Sequence, residues 1–312
     1  MNKEDSSAAQ HAADEGQPGN VATGEAVELV GQASLWGNAW KFLRKSPFFI
    51  IGTFLLLVLL VMAVFPQLFA RGIDPRVCSL SNSGQKPSAA HWFGTDIQGC
   101  DYYANVIYGA RISLSIGVLS VIGVLIIGVL IGALAGYFGG AIDSVLARFT
   151  DVFFGIPLLL GALILLTVTA QRTIFTVSLA LVAFGWMTAM RLVRSSVISI
   201  KNSEYVQAAQ ALGASTYRIL VRHILPNALA PVIIYATISV GTFIAAEATL
   251  TFLGIGLQAP EISWGLQINL GQARFLTAPH LVLFPAAFLS VTVLAFIMLG
   301  DALRDALDPK RN

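Results

Sequence analysis

Six stretches free of Asp, Glu, Lys and Arg, each of membrane-spanning length, dominate this chain: Ser46–Ala70, Ile112–Ile142, Val152–Gln171, Thr173–Met190, Asn227–Ala246 and Leu281–Leu299. A hydrocarbon core takes about 20 apolar residues of helix. One such run could be the buried core helix of a soluble protein, but six together argue against it. Arg172 alone separates the third run from the fourth, which predicts a tight hairpin between two spans. Composition agrees: 56% of residues are hydrophobic and 12% charged, where soluble domains carry roughly a quarter charged. The expected fold is an all-α polytopic membrane protein with six transmembrane helices.

Charge placement gives the orientation. With an even number of spans both termini share a side, and putting them in the cytoplasm leaves thirteen of the 19 Lys and Arg there, against six outside. That asymmetry is the usual positive-inside pattern. The predicted organisation is a cytoplasmic tail over 1–34, a first transmembrane helix with its lead-in over 35–70, and an extracytoplasmic loop over 71–110. The membrane body follows over 111–301, with a large cytoplasmic loop at 191–226, and then a cytoplasmic tail over 302–312. Residues 1–34 lack apolar periodicity and are predicted to be disordered. They also lack the apolar core and cleavage site of a secretory signal, so the first span is expected to stay as an anchor with Trp36, Trp40 and Lys41–Lys45 near its inner interface. The net charge of +2 excludes a nucleic-acid binder driven by bulk charge.

Catalytic signatures are missing. The four histidines, His11, His91, His223 and His280, have no metal-ligand spacing, and no HExxH, GxSxG or Gly-Lys phosphate loop is present. No catalytic or metal residues are expected, nor ATP binding by this chain. Cys78 and Cys100 fall in the outer loop, where a bridge would persist; they are either bonded or two unpaired small residues. Gly128, Gly132 and Gly136 recur every fourth residue and predict a helix-packing seam. Glu247, the one carboxylate in an otherwise apolar run, has either a pathway or gating role or a structural hydrogen bond.

The most informative segment is Glu204–Asn227, EYVQAAQALGASTYRILVRHILPN. Alanines favour a helix, Gly213 offers its stop, and Thr216–Ile224 predicts a second short helix before Pro226. Val206, Leu212, Ile219 and Leu220 among Glu204, Arg218 and Arg222 give the pair an apolar and a charged side. It serves either to dock a partner or to rest on lipid.

These residues resemble the permease subunits of binding-protein-dependent ABC importers, in the dipeptide and oligopeptide branch. The loop is similar to the EAA motif through Gln207-Ala208-Ala209, Gly213 and Ile224-Leu225-Pro226, with Gln in place of the first Glu. Further similar stretches are His91-Trp92-Phe93-Gly94-Thr95-Asp96 with Tyr108-Gly109-Ala110-Arg111-Ile112-Ser113, Ala246-Glu247-Ala248 with Phe252-Leu253-Gly254, and Gly300 to Pro309. The likeness spans Trp40 to Arg311. It implies a type I importer permease in the inner membrane of a prokaryote, with cytoplasmic coupling helices. Glu204, Gln207, Ala208, Ala209, Gly213, Arg218, Arg222 and Pro226 would then dock on an ATPase, with Gln207 supplying only a neutral hydrogen bond. Cys100 stands where the branch usually has Arg, which fits a bridge to Cys78.

Implied partners are a homologous but distinct second permease, two cytoplasmic ATPase subunits or domains, an extracytoplasmic substrate-binding protein and membrane lipid. ATP and Mg would be bound by the ATPases. The implied cargo is di- or oligopeptides, or else nickel, glutathione or another small solute. The rivals are a secondary transporter, which would carry ionisable groups at mid-membrane, and a membrane enzyme, which would need converging catalytic groups.

Overall fold

The computed structural model describes residues 35–307, so the predicted tail at 1–34 and the last five residues, with the end of the Gly300 to Pro309 stretch, lie outside the described residues. Regular structure among the described residues is helical, apart from isolated bridge pairs at Cys78–Cys100 and Thr95–Asp101. The chain opens with α1 (Leu35–Leu43) and α2 (Pro47–Val64), the latter capped by Ser46, whose hydroxyl accepts from Phe49 N at 3.4 Å. A one-turn α3 (Pro66–Phe69) leads into the loop that carries the cysteines. Then come α4 (Tyr102–Phe138), α5 (Gly140–Phe154), α6 (Leu158–Thr167), α7 (Ile174–Lys201) and α8 (Glu204–Ala211). The remainder is α9 (Thr216–Arg218), a π turn (Ile219–Ile224), α10 (Leu225–Phe252), α11 (Trp264–Gln272) and α12 (His280–Leu307).

Among the described residues, five helices are long and apolar enough to cross a membrane: α2, α4, α7, the continuous helix Thr216–Phe252 and α12. The remaining expected span, Val152–Gln171, falls on the end of α5 and on α6, two helices that meet at 77° and make a sixth span when the bent pair is taken as one. Pro157 is the cause. Its ring has no N–H and forces the preceding residue out of helical conformation, so the chain bends between Phe154 and Leu158.

Other boundaries also move, because charges sit inside helices wherever they find partners. The second span begins ten residues before Ile112, at Tyr102, with Asp101 accepting from Ala104 N. Arg111 is accommodated by donating to the Ala63 and Val64 carbonyls at the end of α2, at 2.8 and 2.9 Å. The fourth span continues past Met190 to Lys201, since Arg191 pairs with Asp151 at 2.8 Å and Arg194 with Asp143 at 2.5 Å. Within the stretch 191–226 expected as a large loop, only residues 202–215, α8 and its flanking turns, lie outside the two long helices. The separate short helix expected before Pro226 merges into the fifth span. There Leu225 N–H bonds to Leu220 O, five residues back, and this widened turn admits Pro226 without a break. The last span continues past Leu299 to Leu307, because Ala302 and Ala306 pack on Ala39 and Leu43 of α1.

The core is built on α4, which packs along α7 and α10. Gly128, Gly132 and Gly136 all face α7: a Cβ on Gly128 would lie 2.6 Å from Ala189 Cβ, and one on Gly132 2.6 Å from the Met190 carbonyl oxygen. Only glycine permits that approach of backbones. Phe48, Phe54, Leu57 and Leu60 of α2 are exposed, a costly arrangement in water that a lipid solvent accommodates.

Candidate functional site

Two ends of this bundle carry polar structure. At the first, α8 begins after Ser203 and exposes Glu204, Gln207 and Ala208, with Ala209 half-buried. Its one buried residue is Val206, 0% exposed, which sits among Val193 and Val197 of α7 and Ile219 and Ile224 of the π turn. Gly213, at φ +78°, stops the helix. Ala214 N–H then reaches Ala209 O at 3.1 Å, closing the terminal turn as a left-handed residue allows. Ser215 accepts from Arg218 N at 3.4 Å and starts the next helix.

The side chains around this turn remain available. Leu212 is 89% and Tyr217 76% exposed; Arg218, Arg222 and Pro226 are exposed too. Gln207 Nε2 donates to Asn202 O at 3.2 Å, so this amide braces the start of its own helix. The Glu204 carboxylate, one turn earlier, makes no hydrogen bond or ion pair among the described residues. The surface is thus a short helix with free polar and apolar groups, held to two long helices by Val206 and by the Asn227 amide, which donates to Tyr205 Oη at 3.3 Å.

At the other end, Cys78 and Cys100 form a disulfide. His91 Nδ1 lies 2.8 Å from Asp101 Oδ2, while Asp101 Oδ1 caps α4. Phe93 stacks on Phe284 of α12 at 3.7 Å, and Tyr102 Oη donates to Leu281 O. The loop is thereby sealed against both α4 and α12.

Glu247 lies near this end of α10 and is 0% exposed. Its Oε1 accepts from Thr251 Oγ1 at 2.8 Å and from Ser263 Oγ at 3.2 Å. Ser263 in turn accepts from Leu266 N as the cap of α11, and Thr251 Oγ1 accepts from Leu257 N. The Trp264 indole donates to Val106 O at 2.9 Å, its backbone N–H donates to Ser113 Oγ, and Gln267 Nε2 donates to Asn105 O at 2.7 Å. Glu247 therefore joins α10 to α11, and α11 is bonded to α4.

Glu247 announces itself in the sequence as a lone acid in an apolar run. Its partner Ser263 stands sixteen residues away and carries no local signal, and neither does Gln267. Among the described residues, no cluster of His, Cys, Asp or Glu could hold a metal ion.

Comparison with known proteins agrees with this architecture. Residues 34–77 match the N-terminal TM domain of oligopeptide transport permease C, and residues 128–312 match the binding-protein-dependent transport system inner membrane component. The oligopeptide transport system permease protein OppC of Bacillus subtilis (strain 168) is 38% identical over 94% of this chain and 96% of that protein. The dipeptide transport system permease protein DppC of the same organism is 44% identical over 88% and 85%. A crystal structure of an amino acid ABC transporter with histidines superposes with a TM-score of 0.51 at 18% identity, covering 64% of this chain and 92% of that one. The fold is accordingly that of type I ABC importer permeases. With residues 128–312 matching the family model and relatives 38% and 44% identical over most of both lengths, the chain belongs to the binding-protein-dependent transport system inner membrane components, as a membrane-embedded transport subunit.

Proposed function

We propose that this chain is one permease of an ATP-driven importer of di- or oligopeptides, forming half of the pathway beside a distinct homologous permease. The peptide cargo is supported by the names of the relatives at 38% and 44% identity. The excess of Lys and Arg at the α8 end supports cytoplasmic termini, with the disulfide loop outside. Two ATPase subunits or domains supply ATP and Mg binding from the cytoplasm, and an external binding protein delivers the peptide.

The observation that carries this reading is the exposed α8, fastened by Val206 to the root of a continuous helix that runs from Thr216 to Phe252. At about 1.5 Å per residue, that helix is about 55 Å long. A displacement of α8 by an ATPase reaches the opposite end of the bundle as a rigid-body motion, because packed helices have discrete arrangements and do not deform continuously. Glu204, Gln207, Ala208, Ala209, Gly213, Arg218, Arg222 and Pro226 form the docking surface. The Gly128, Gly132 and Gly136 seam holds the frame against which the shaft moves, and Glu247 carries the motion into α11.

The test uses Leu212→Cys. Among the described residues both native cysteines are bonded, so the new thiol is a specific handle. In proteoliposomes containing the complete complex, it is expected to crosslink to an ATPase subunit and to block ATP-dependent peptide uptake once crosslinked. Labelling from the external face, or no ATPase adduct, would sink the assignment. Uptake of nickel or another small solute without peptide uptake would change the cargo and leave the mechanism standing.

A further inference from the structure

A cavity of about 430 Å³ opens at the disulfide end between α11 and the loop carrying the bridge, within the ~300–1,000 Å³ typical of ligand sites. A second space of about 310 Å³ shares Pro75, Arg76 and Ile262 with it and adds Arg111. The walls of the larger cavity are mostly apolar, with Ile97, Leu266 and Leu270 among them, but polar side chains interrupt them, Arg76, Asp96 and Glu261 included.

Arg76 is exposed, and its guanidinium makes no ion pair or hydrogen bond among the described residues. Arg111, by contrast, is already committed to the end of α2. Glu261 is half-buried with a carboxylate that also has no partner, and it lines the same cavity as Asp96. Gln267 is 7% exposed; its Nε2 is bonded to Asn105 O while its Oε1 has no donor. A cation, Arg76, and two carboxylates, Asp96 and Glu261, along a greasy wall match the charged termini of a short, unblocked peptide.

We propose that this cavity is a receiving site for the peptide, with its C-terminal carboxylate on Arg76 and its ammonium group at Glu261 and Asp96. The side chains lie on Ile97, Leu266 and Leu270. The proposal rests on the peptide cargo argued above and places a binding step inside this chain, after the external binding protein and before the shared pathway. The joint at Glu247 and Ser263 positions the α11 wall, so motion of α10 would reshape the site.

The test is photolabelling of the complete complex in proteoliposomes, using a tripeptide with free termini and a benzophenone side chain. Adducts are expected on residues 96–98 or 259–271 of this chain, competed by trialanine and not by its N-acetylated, C-amidated form. Arg76→Gln should lower labelling roughly tenfold, as loss of a charge-assisted bond would, and Arg76→Lys should recover part of it. Glu261→Gln should also lower it. Adducts found only elsewhere, equal competition by the blocked peptide, or unchanged labelling in both neutral variants overturns the site while uptake of trialanine by the same liposomes leaves the cargo reading intact. Failure of the wild-type complex to take up any peptide overturns both.

Discussion

At the α8 end one buried side chain, Val206, fastens an exposed helix to the bundle, whereas at the disulfide end a covalent bridge, a buried carboxylate and bonds from α11 to α4 fix each segment. The two ends meet different demands. A docking element must offer free groups and tolerate small displacement, so it belongs to the less stable parts of the fold. The proposed receiving surface needs its walls positioned, and the Glu247 Oε1 bonds to Thr251 and Ser263, with the bond from Gln267 to Asn105, do this. The helix from Thr216 to Phe252 touches both regimes, and the contrast predicts that damage at one end should appear as lost stability and at the other as lost coupling.

The largest stability effect is expected for Glu247→Ala. It leaves the Thr251 and Ser263 hydroxyls without their buried acceptor and opens a void in a close-packed interior. Unmet buried donors and a void together cost about 3–4 kcal/mol. The melting temperature of the solubilised complex should fall, and amide exchange in α11 should rise. An unchanged melt with protected α11 would mean that the joint does not hold the wall.

A smaller effect is expected for the paired change Cys78→Ser and Cys100→Ser. The bridge closes a segment with a sequence separation of 22, a length for which restriction of the unfolded chain is worth about 3 kcal/mol. Stacking of Phe93 on Phe284 and the His91–Asp101 contact retain part of the loop structure. Exchange should therefore quicken within 79–99 and little elsewhere. Loss of protection throughout the bundle would show that the disulfide supports the whole frame and not the loop alone.

The contrast also separates what the sequence discloses from what it withholds. Apolar runs locate the membrane helices because hydrocarbon admits few unpaired charges, yet the same criterion truncates them wherever a charge has a partner. Arg111, Arg191 and Arg194 all lie inside helices, satisfied by carbonyls or acids that are 47, 40 and 51 residues distant. Pro157 is visible in the sequence, but the size of the bend, 77°, is not. The α8 end is the more legible, since alanines, Gly213 and a charged-apolar alternation are local signals. At the disulfide end, Ser263 and Gln267 acquire meaning only when folding brings α11 beside Glu247 and Asn105.

The smallest effect on stability, paired with a clear effect on transport, is expected for Gly213→Val. At φ +78° a branched side chain costs about 1–2 kcal/mol, and no atom lies within 4 Å of the added Cβ, so the strain is purely in the backbone. Relief comes by rotating Gly213 out of the left-handed region, which breaks the Ala214 N–H to Ala209 O bond and loosens the turn between α8 and the start of α9. Val206 and the long helices stay in place, so the melt should barely move. The link from α8 to the shaft becomes compliant, and roughly 1.4 kcal/mol of lost coupling corresponds to a tenfold fall in uptake. ATP hydrolysis by the assembled complex should continue at more than half its usual rate, a split that simple misfolding would not produce. Equal losses of hydrolysis and uptake would make Gly213 a residue of assembly, and full uptake would remove α8 as the handle through which the motor acts.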